Sequence, residues 1–130
     1  MSESFDEIRD VVVVGSGAGG MSAAITAAKA GLDVLLIEKS EYVGGSTAVS
    51  GGAMWVPENP HAAKAGHADT REAAMTYLEA VLGNRLRPDL MRAFLDNGPE
   101  MVRFFERETA LKFEARAYSP DYQPEQPGAS

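Results

Sequence analysis

The residues best suited to chemistry lie in a glycine-rich turn near the start of the chain. Gly15, Gly17 and Gly20 have the spacing G-x-G-x-x-G. Since glycine lacks a Cβ and tolerates positive φ, we expect Gly15 to permit a tight turn, Gly17 to admit a pyrophosphate and Gly20 to let a helix pack closely. Three small residues complete the turn and are expected to bind the same phosphates: Ser16, Ala18 and Gly19.

A single carboxylate is placed to recognise the sugar that such a diphosphate carries. Glu38 follows Gly20 by eighteen residues and ends an apolar run. In dinucleotide-binding units an acidic residue at about this distance accepts hydrogen bonds from the ribose hydroxyls. We therefore predict that Glu38 binds both hydroxyls of an adenosine ribose, with Lys39 beside it, and repels a 2′-phosphate. The alternative interpretation is a glycine turn with a solvated glutamate.

The elements that must position these residues form a strand, helix, strand unit. Residues 11–14 are four consecutive valines, typical of a parallel strand covered on both faces. A segment with helical spacing follows and ends at Lys29 and Gly31, and a second apolar run occupies residues 34–37. The pattern predicts an α/β fold: a Rossmann-like dinucleotide-binding domain, incomplete in this chain and followed by a helical segment.

A second glycine-rich loop after Glu38 favours flavin over nicotinamide. In a nicotinamide-binding domain the second strand leads to another helix and strand, whereas here two Gly-Gly pairs and several hydroxyls follow. We expect neither helix nor strand in this loop. Its bare backbone and hydroxyls suit the diphosphate and ribityl chain of FAD, and a flexible linker is the alternative. The predicted FAD-binding residues of the loop are Gly44, Gly45, Ser46, Thr47, Ser50, Gly51 and Gly52.

The second half of the chain has the periodicity of helices. Asp69 is predicted to cap a helix that ends at Gly83, because a glutamate three residues later completes a capping box. Pro88 and Pro99 are predicted to open two further helices. A short strand at residues 111–113 and an irregular, proline-rich tail should follow them.

Composition excludes several classes of function. The 19 acidic and 12 basic residues give a net charge of −7, so we expect no nucleic-acid partner. The longest uncharged run holds four glycines, and acidic residues replace the basic start of a signal peptide, so we expect a cytoplasmic protein without a transmembrane segment. Neither histidine has an acidic or cysteine partner at ligand spacing, and no metal site is predicted. The tail lacks a closing element, as in a fragment.

Several motifs together resemble the flavoproteins of the fumarate reductase and succinate dehydrogenase type. Gly-Gly-Ser-Thr-Ala from residue 44, Trp-Val-Pro from residue 55 and Pro-Asp-Tyr from residue 120 are similar to the 3-ketosteroid Δ1-dehydrogenase branch. The resemblance implies an FAD-dependent oxidoreductase that acts on CH–CH bonds. Residues 1–60 would then be the N-terminal part of the FAD-binding domain, and residues 61–130 a helical segment that starts the substrate-facing region.

The resemblance also implies a reaction and its participants. In that branch a base removes the proton alpha to the ketone of a 3-ketosteroid, hydride leaves for the flavin, and an external acceptor takes the electrons. Tyr122 resembles the tyrosine that supports the base, and the other catalytic tyrosines would lie beyond Ser130, so the fragment alone should be inactive. Relatives that hold flavin covalently use a histidine near the place of Gly45, so a non-covalent FAD is implied.

Three alternatives remain at this point. A reductase of unsaturated, fumarate-like acids would use a similar flavin domain together with arginine and histidine residues further along the chain. A nucleotide-binding module without redox chemistry is an alternative of a different class. For Tyr122 itself, the alternative is a loop tyrosine that covers the edge of the core.

Overall fold

The first unit of the chain, Met1–Met54, is built around two parallel strands and the helix that joins them. The computed structural model describes residues 6–67 and 69–130. Strand β1, helix α1 and strand β2 comprise Val11–Val14, Ala18–Lys29 and Val34–Ile37. The strands pair residue for residue, from Val11 with Val34 to Val14 with Ile37, and α1 contacts both. The predicted α/β unit is confirmed.

The prediction that β1 is covered on both faces is wrong within this unit. Val12 and Val14 are 53% and 78% exposed, whereas Val11 and Val13 are half-buried. Alternate residues of a strand point to opposite faces, and α1 packs on only one face of the two-stranded sheet. The described residues of this unit therefore leave the other face of β1 open.

The second glycine-rich loop begins with one helical turn, α2, at Gly45–Ala48. The expectation of no helix in this loop is therefore wrong for these residues. Gly44 precedes the turn with φ 106, and its carbonyl accepts the N–H of Ala48 at 3.2 Å. A Cβ at Gly44 would lie 2.6 Å from the Cβ of Ala48, so the turn requires glycine at this position.

The second unit, Trp55–Ser130, is helical. Its helices α3, α4 and α5 comprise Ala62–Ala65, Arg71–Leu82 and Pro88–Glu108, with a 3-10 turn at Gly83–Arg85. The cap of α4 is Thr70 and not the predicted Asp69, because the Thr70 hydroxyl accepts the N–H of Ala73 at 3.1 Å from an extended backbone. Helix α4 ends before Gly83, as predicted.

Helix α5 runs unbroken through Pro99, so the prediction of two helices is wrong. A proline inside a helix removes one backbone hydrogen bond and costs about 3 kcal/mol in an isolated helix. Burial offsets this cost, because one apolar face continues across the proline: Leu95, Gly98, Val102 and Phe105 are its buried residues. Packing of this face therefore outweighs the local preference of Pro99.

Residues 111–113 form no strand, contrary to prediction. The N–H of Phe113 donates to the Glu106 carboxylate at 3.0 Å, so it is not available for a sheet. The proline-rich tail contains bends and turns but no helix or strand, as expected. The buried apolar residues of the second unit form its core: Val56, Ala62, Ala74, Tyr77, Leu95, Val102 and Phe105. Among the helices in the described ranges, none is long and apolar enough to cross a membrane.

Candidate cofactor-binding site

The glycine turn connects the end of β1 to the start of α1. Gly15 has φ 95, and its N–H donates to the carbonyl of Ile37 at 2.8 Å, which ties the turn to β2. A Cβ on Gly20 would overlap the carbonyl group of Gly15. The first glycine thus takes a backbone conformation that other residues avoid, and the last allows a backbone approach that no side chain permits.

The N-terminus of α1 is free of acidic and bulky side chains. Gly17 is the N-cap, and no acidic residue lies in the first turn. A Cβ at Gly19 would meet no described atom within 4 Å, and one at Gly17 would come no closer than 3.9 Å to the carbonyl oxygen of Gly44. Backbone N–H groups and the positive end of the helix dipole favour an anion here. The turn therefore fits a diphosphate.

The carboxylate of Glu38 lies against this turn. Its Oε2 accepts hydrogen bonds from the N–H and the hydroxyl of Ser16, at 2.9 and 2.6 Å, and its Oε1 accepts the N–H of Ser40 at 3.0 Å. The Ser16 hydroxyl is the largest cause that lowers the pKa of Glu38 from 4.5 to about 2. Glu38 is therefore ionised at neutral pH and available as an acceptor.

The same contacts limit what Glu38 can still bind. A carboxylate offers about four lone-pair positions, and protein donors use three of them here. In this arrangement one position remains for a ribose hydroxyl. Binding of both hydroxyls, as the sequence led us to expect, would require one of these three protein donors to give up its bond.

The second glycine-rich loop meets the first beside Glu38. The N–H of Gly44 donates to the Ser16 hydroxyl at 2.8 Å, and the N–H of Ala18 donates to the Thr47 hydroxyl at 3.2 Å. A Cβ on Gly45 would lie 3.4 Å from the Cα of Gly17. The two loops therefore form one surface at the carboxyl ends of both strands.

Other predicted residues lie around this surface. Lys39 and Ser46 are exposed. The hydroxyl of Ser50 donates to the carbonyl of Thr47 at 2.8 Å and accepts the N–H of Gly52 at 3.1 Å. Added Cβ atoms at Gly51 and Gly52 would meet no described atom within 4 Å. Ser50 therefore shapes the end of the loop, and the two glycines leave its backbone open.

Tyr122 belongs to the second unit and its side chain is fully exposed. Asp121 and Ser130 close the loop that carries it, because Asp121 N–H donates to the Ser130 carbonyl at 3.2 Å and Ser130 N–H donates to the Asp121 carboxylate at 3.0 Å. Gly128, with φ 81, lies on α4 so closely that a Cβ would overlap the carbonyl of Ala73. Within the described residues of this unit the Tyr122 side chain therefore covers no part of the core, and its role stays a prediction.

The sequence did not predict one pair of contacting side chains. His61 Nε2 lies 2.9 Å from the Glu106 carboxylate, although 45 residues separate them in the sequence. Glu106 also accepts the N–H of Phe113, which is the largest cause of its lowered pKa. The pair joins the start of α3 to the end of α5, and its separation explains why no local motif revealed it. Across residues 6–67 and 69–130, no three His, Cys, Asp or Glu residues cluster in a way that could hold a metal ion.

Comparison with known proteins agrees with this geometry. Residues 10–128 match the family described as FAD binding domain. The chain belongs to this family. Membership of this family indicates that FAD is the cofactor of the domain.

Relatives of this FAD binding domain include dehydrogenases of ring ketones. It is 49% identical over 119 residues to a 3-oxosteroid 1-dehydrogenase of Mycobacterium tuberculosis, covering 92% of the chain and 21% of the relative. It is 46% identical over 120 residues to a 4-oxocyclohexanecarboxylate 2-dehydrogenase of Sinomonas cyclohexanicum, again covering 92% and 21%. The chain thus spans about a fifth of the length of these curated relatives.

A solved structure of a related dehydrogenase is also similar to this chain. The 3-ketosteroid Δ1-dehydrogenase of Sterolibacterium denitrificans, in complex with 1,4-androstadiene-3,17-dione, superposes with a TM-score of 0.84 at 42% identity. The match covers 94% of this chain and 21% of that one. The resemblance to the 3-ketosteroid dehydrogenase branch is confirmed, as is the prediction of an incomplete Rossmann-like fold.

Proposed function

We propose that these residues are the N-terminal FAD-binding part of a longer dehydrogenase that desaturates a CH–CH bond next to a ring ketone, with a 3-ketosteroid as the substrate. The proposal of FAD binding rests on one observation: hydrogen bonds of the Ser16 hydroxyl join both glycine-rich loops at Glu38. The names of the two relatives, 3-oxosteroid and 4-oxocyclohexanecarboxylate dehydrogenase, both denote ketones, and they support the substrate class.

In this proposal each part of the site has a role in binding. The N-terminus of α1 holds the diphosphate, and Glu38 accepts a hydroxyl of the adenosine ribose. The loop from Gly44 to Gly52 lies along the rest of the cofactor. Bound FAD supplies the hydride acceptor for the reaction. The Gly-Gly pair at residue 44, where a covalent attachment would use histidine, supports a dissociable cofactor.

We also propose that Tyr122 supports the base that removes the proton alpha to the ketone. Its full exposure in the second unit leaves its hydroxyl free for such a contact, and the Asp121–Ser130 closure holds its loop. An external electron acceptor would reoxidise the cofactor. We also propose a cytoplasmic location, with which the cysteine-free 130 residues are compatible.

The test is expression of the complete reading frame that contains this chain. We expect a yellow protein whose flavin is released by denaturation, and dye-coupled turnover with 3-ketosteroids. Tyr122→Phe should retain the flavin and lose turnover, whereas Tyr118→Phe, an exposed neighbour, is the matched control. No flavin absorbance would overturn the proposal, and tight binding of ADP without FAD would favour the nucleotide module.

The substrate panel separates the enzymatic alternatives. Turnover of 4-oxocyclohexanecarboxylate and not of steroids would retain the ketone chemistry and reject the steroid. Reduction of fumarate-like acids by the reduced enzyme, with no oxidation of ketones, would instead support the reductase alternative.

A further inference from the structure

Ser16 stands out in the first unit because its polar side chain is buried. Ser16 is 1% exposed, and it is the one buried polar or charged residue among the described residues. A buried hydroxyl is costly unless it is hydrogen-bonded, and this one donates to Glu38 Oε2 at 2.6 Å and accepts the N–H of Gly44 at 2.8 Å. Both hydrogen bonds of the Ser16 hydroxyl are therefore made to other residues of the candidate site.

We propose that Ser16 is a positioning residue of the FAD site: it holds the Glu38 carboxylate and ties it to Gly44, although its own side chain does not reach the cofactor. This inference rests on the proposed function. It changes the expectation for Ser16 from a direct contact with the phosphates to an action through Glu38. The buried side chain faces Glu38 and Gly44, while the neighbouring glycines form the open part of the turn.

The bonds form a continuous chain between the two loops. Gly44 N–H donates to the Ser16 hydroxyl, which donates to Glu38, and Ser16 N–H donates to the same carboxylate oxygen at 2.9 Å. Hydrogen bonds in such a chain polarise and strengthen one another. Loss of the hydroxyl would remove one of the three hydrogen bonds to Glu38 and the acceptor of the Gly44 N–H. The link between the two loops would then be broken, and their arrangement around the cofactor should loosen.

The hydroxyl also keeps Glu38 in the form that accepts hydrogen bonds. The pKa of Glu38 is lowered by hydrogen-bond donors of Ser16, Ser40 and Lys39. No charged side chain among the described residues contributes to this shift. Removal of the strongest of these donors raises the pKa of Glu38. The loss of FAD on acidification should then begin at a higher pH in Ser16→Ala than in the wild type, and a purely structural role would not move this profile.

The experiment measures FAD dissociation from the complete enzyme by recovery of flavin fluorescence. We expect Ser16→Ala to weaken FAD binding about tenfold or more, as for loss of a hydrogen bond to a charged group. Thr26→Ala removes an exposed hydroxyl of α1 that donates to the Ser22 carbonyl, and it should leave the affinity unchanged. Ser16→Thr keeps the hydroxyl and should restore most of the affinity.

A double-mutant cycle with Glu38→Gln tests whether Ser16 acts through Glu38. We expect the combined loss of affinity in the double variant to be smaller than the product of the two single losses, because the second change removes a partner already lost. Independent losses, an unchanged affinity in Ser16→Ala, or failure of that variant to fold with FAD present would each overturn the inference. A wild-type enzyme that binds no FAD would instead overturn the proposed function.

Discussion

The hydroxyl of Thr47 accepts the N–H of Ala18 at 3.2 Å, so a residue of the second glycine-rich loop caps the first turn of α1. This contact joins α2 to the helix N-terminus at which a diphosphate would bind. The cap leaves the Thr47 hydroxyl hydrogen free to donate, and that hydrogen can point toward an anion.

Thr47→Val tests this contact, because valine has a similar shape and no hydroxyl. We expect FAD affinity of the complete enzyme to fall about fivefold, as for loss of one neutral hydrogen bond. Titration of the apoenzyme with FAD measures this change. Thr76→Val, which removes a hydroxyl that donates to the Glu72 carbonyl in α4, should leave the affinity as it was. Equal losses in both variants would show a general effect of hydroxyl removal.

Gly17→Val should abolish FAD retention. The added Cβ would come within 3.9 Å of the Gly44 carbonyl oxygen, and its methyl groups would fill the space between the two loops that the diphosphate needs. The flavin-to-protein absorbance ratio after purification is the measurement. Ala23→Val adds comparable bulk at an exposed position of α1 and should keep the flavin. A Gly17→Val protein with full flavin content would contradict the assignment of the turn.

Acid should weaken the first unit through Glu38, and the direction follows from its pKa. Because the pKa is lowered from 4.5 to about 2, the stabilisation is complete above about 4.5 and is lost as pH falls toward 2. Glu38→Gln removes this dependence. Unfolding of the complete enzyme measured between these pH values should therefore be less pH-dependent in Glu38→Gln, whereas Glu41→Gln, at an exposed position, should behave like the wild type.

Gly128→Ala should destabilise the second unit more than Gly66→Ala. Both glycines have positive φ, 81 and 87, so both substitutions introduce backbone strain of about 1 kcal/mol. Only at Gly128 does the new Cβ overlap backbone atoms of α4, whereas at Gly66 it meets no described atom within 4 Å. Thermal unfolding measures the difference, and equal midpoints would contradict the close packing of the tail on α4.

Displacement of the tail by Gly128→Ala should also affect turnover. The loop closed by Asp121 and Ser130 also carries Tyr122, so Gly128→Ala in the complete enzyme should lower kcat while FAD stays bound. An unchanged kcat together with a lowered unfolding midpoint would separate the packing of the tail from the proposed role of Tyr122.

Local sequence was sufficient for β1, α1 and β2 of the first unit, but not for α2. The valine run, the glycine spacing and the helical periodicity predicted β1, the turn and α1, since each depends on backbone preferences within a few residues. The prediction at Pro99 was wrong because it depended only on the local preference of that residue. Its local preference predicts a helix start, but a buried face from Leu95 to Phe105 holds one helix together.

The amino-acid sequence by itself determined the glycine turn, the acid that follows β2 and the family to which they point, because these are fixed by residue type and spacing. Tertiary structure alone decided which groups donate hydrogen bonds to Glu38. Its partner Ser16 is 22 residues away, and Gly44 is 28 residues from Ser16. Hydrogen bonds between such distant residues depend on how β1, β2 and the loops pack, and short-range periodicity carries no information about that packing.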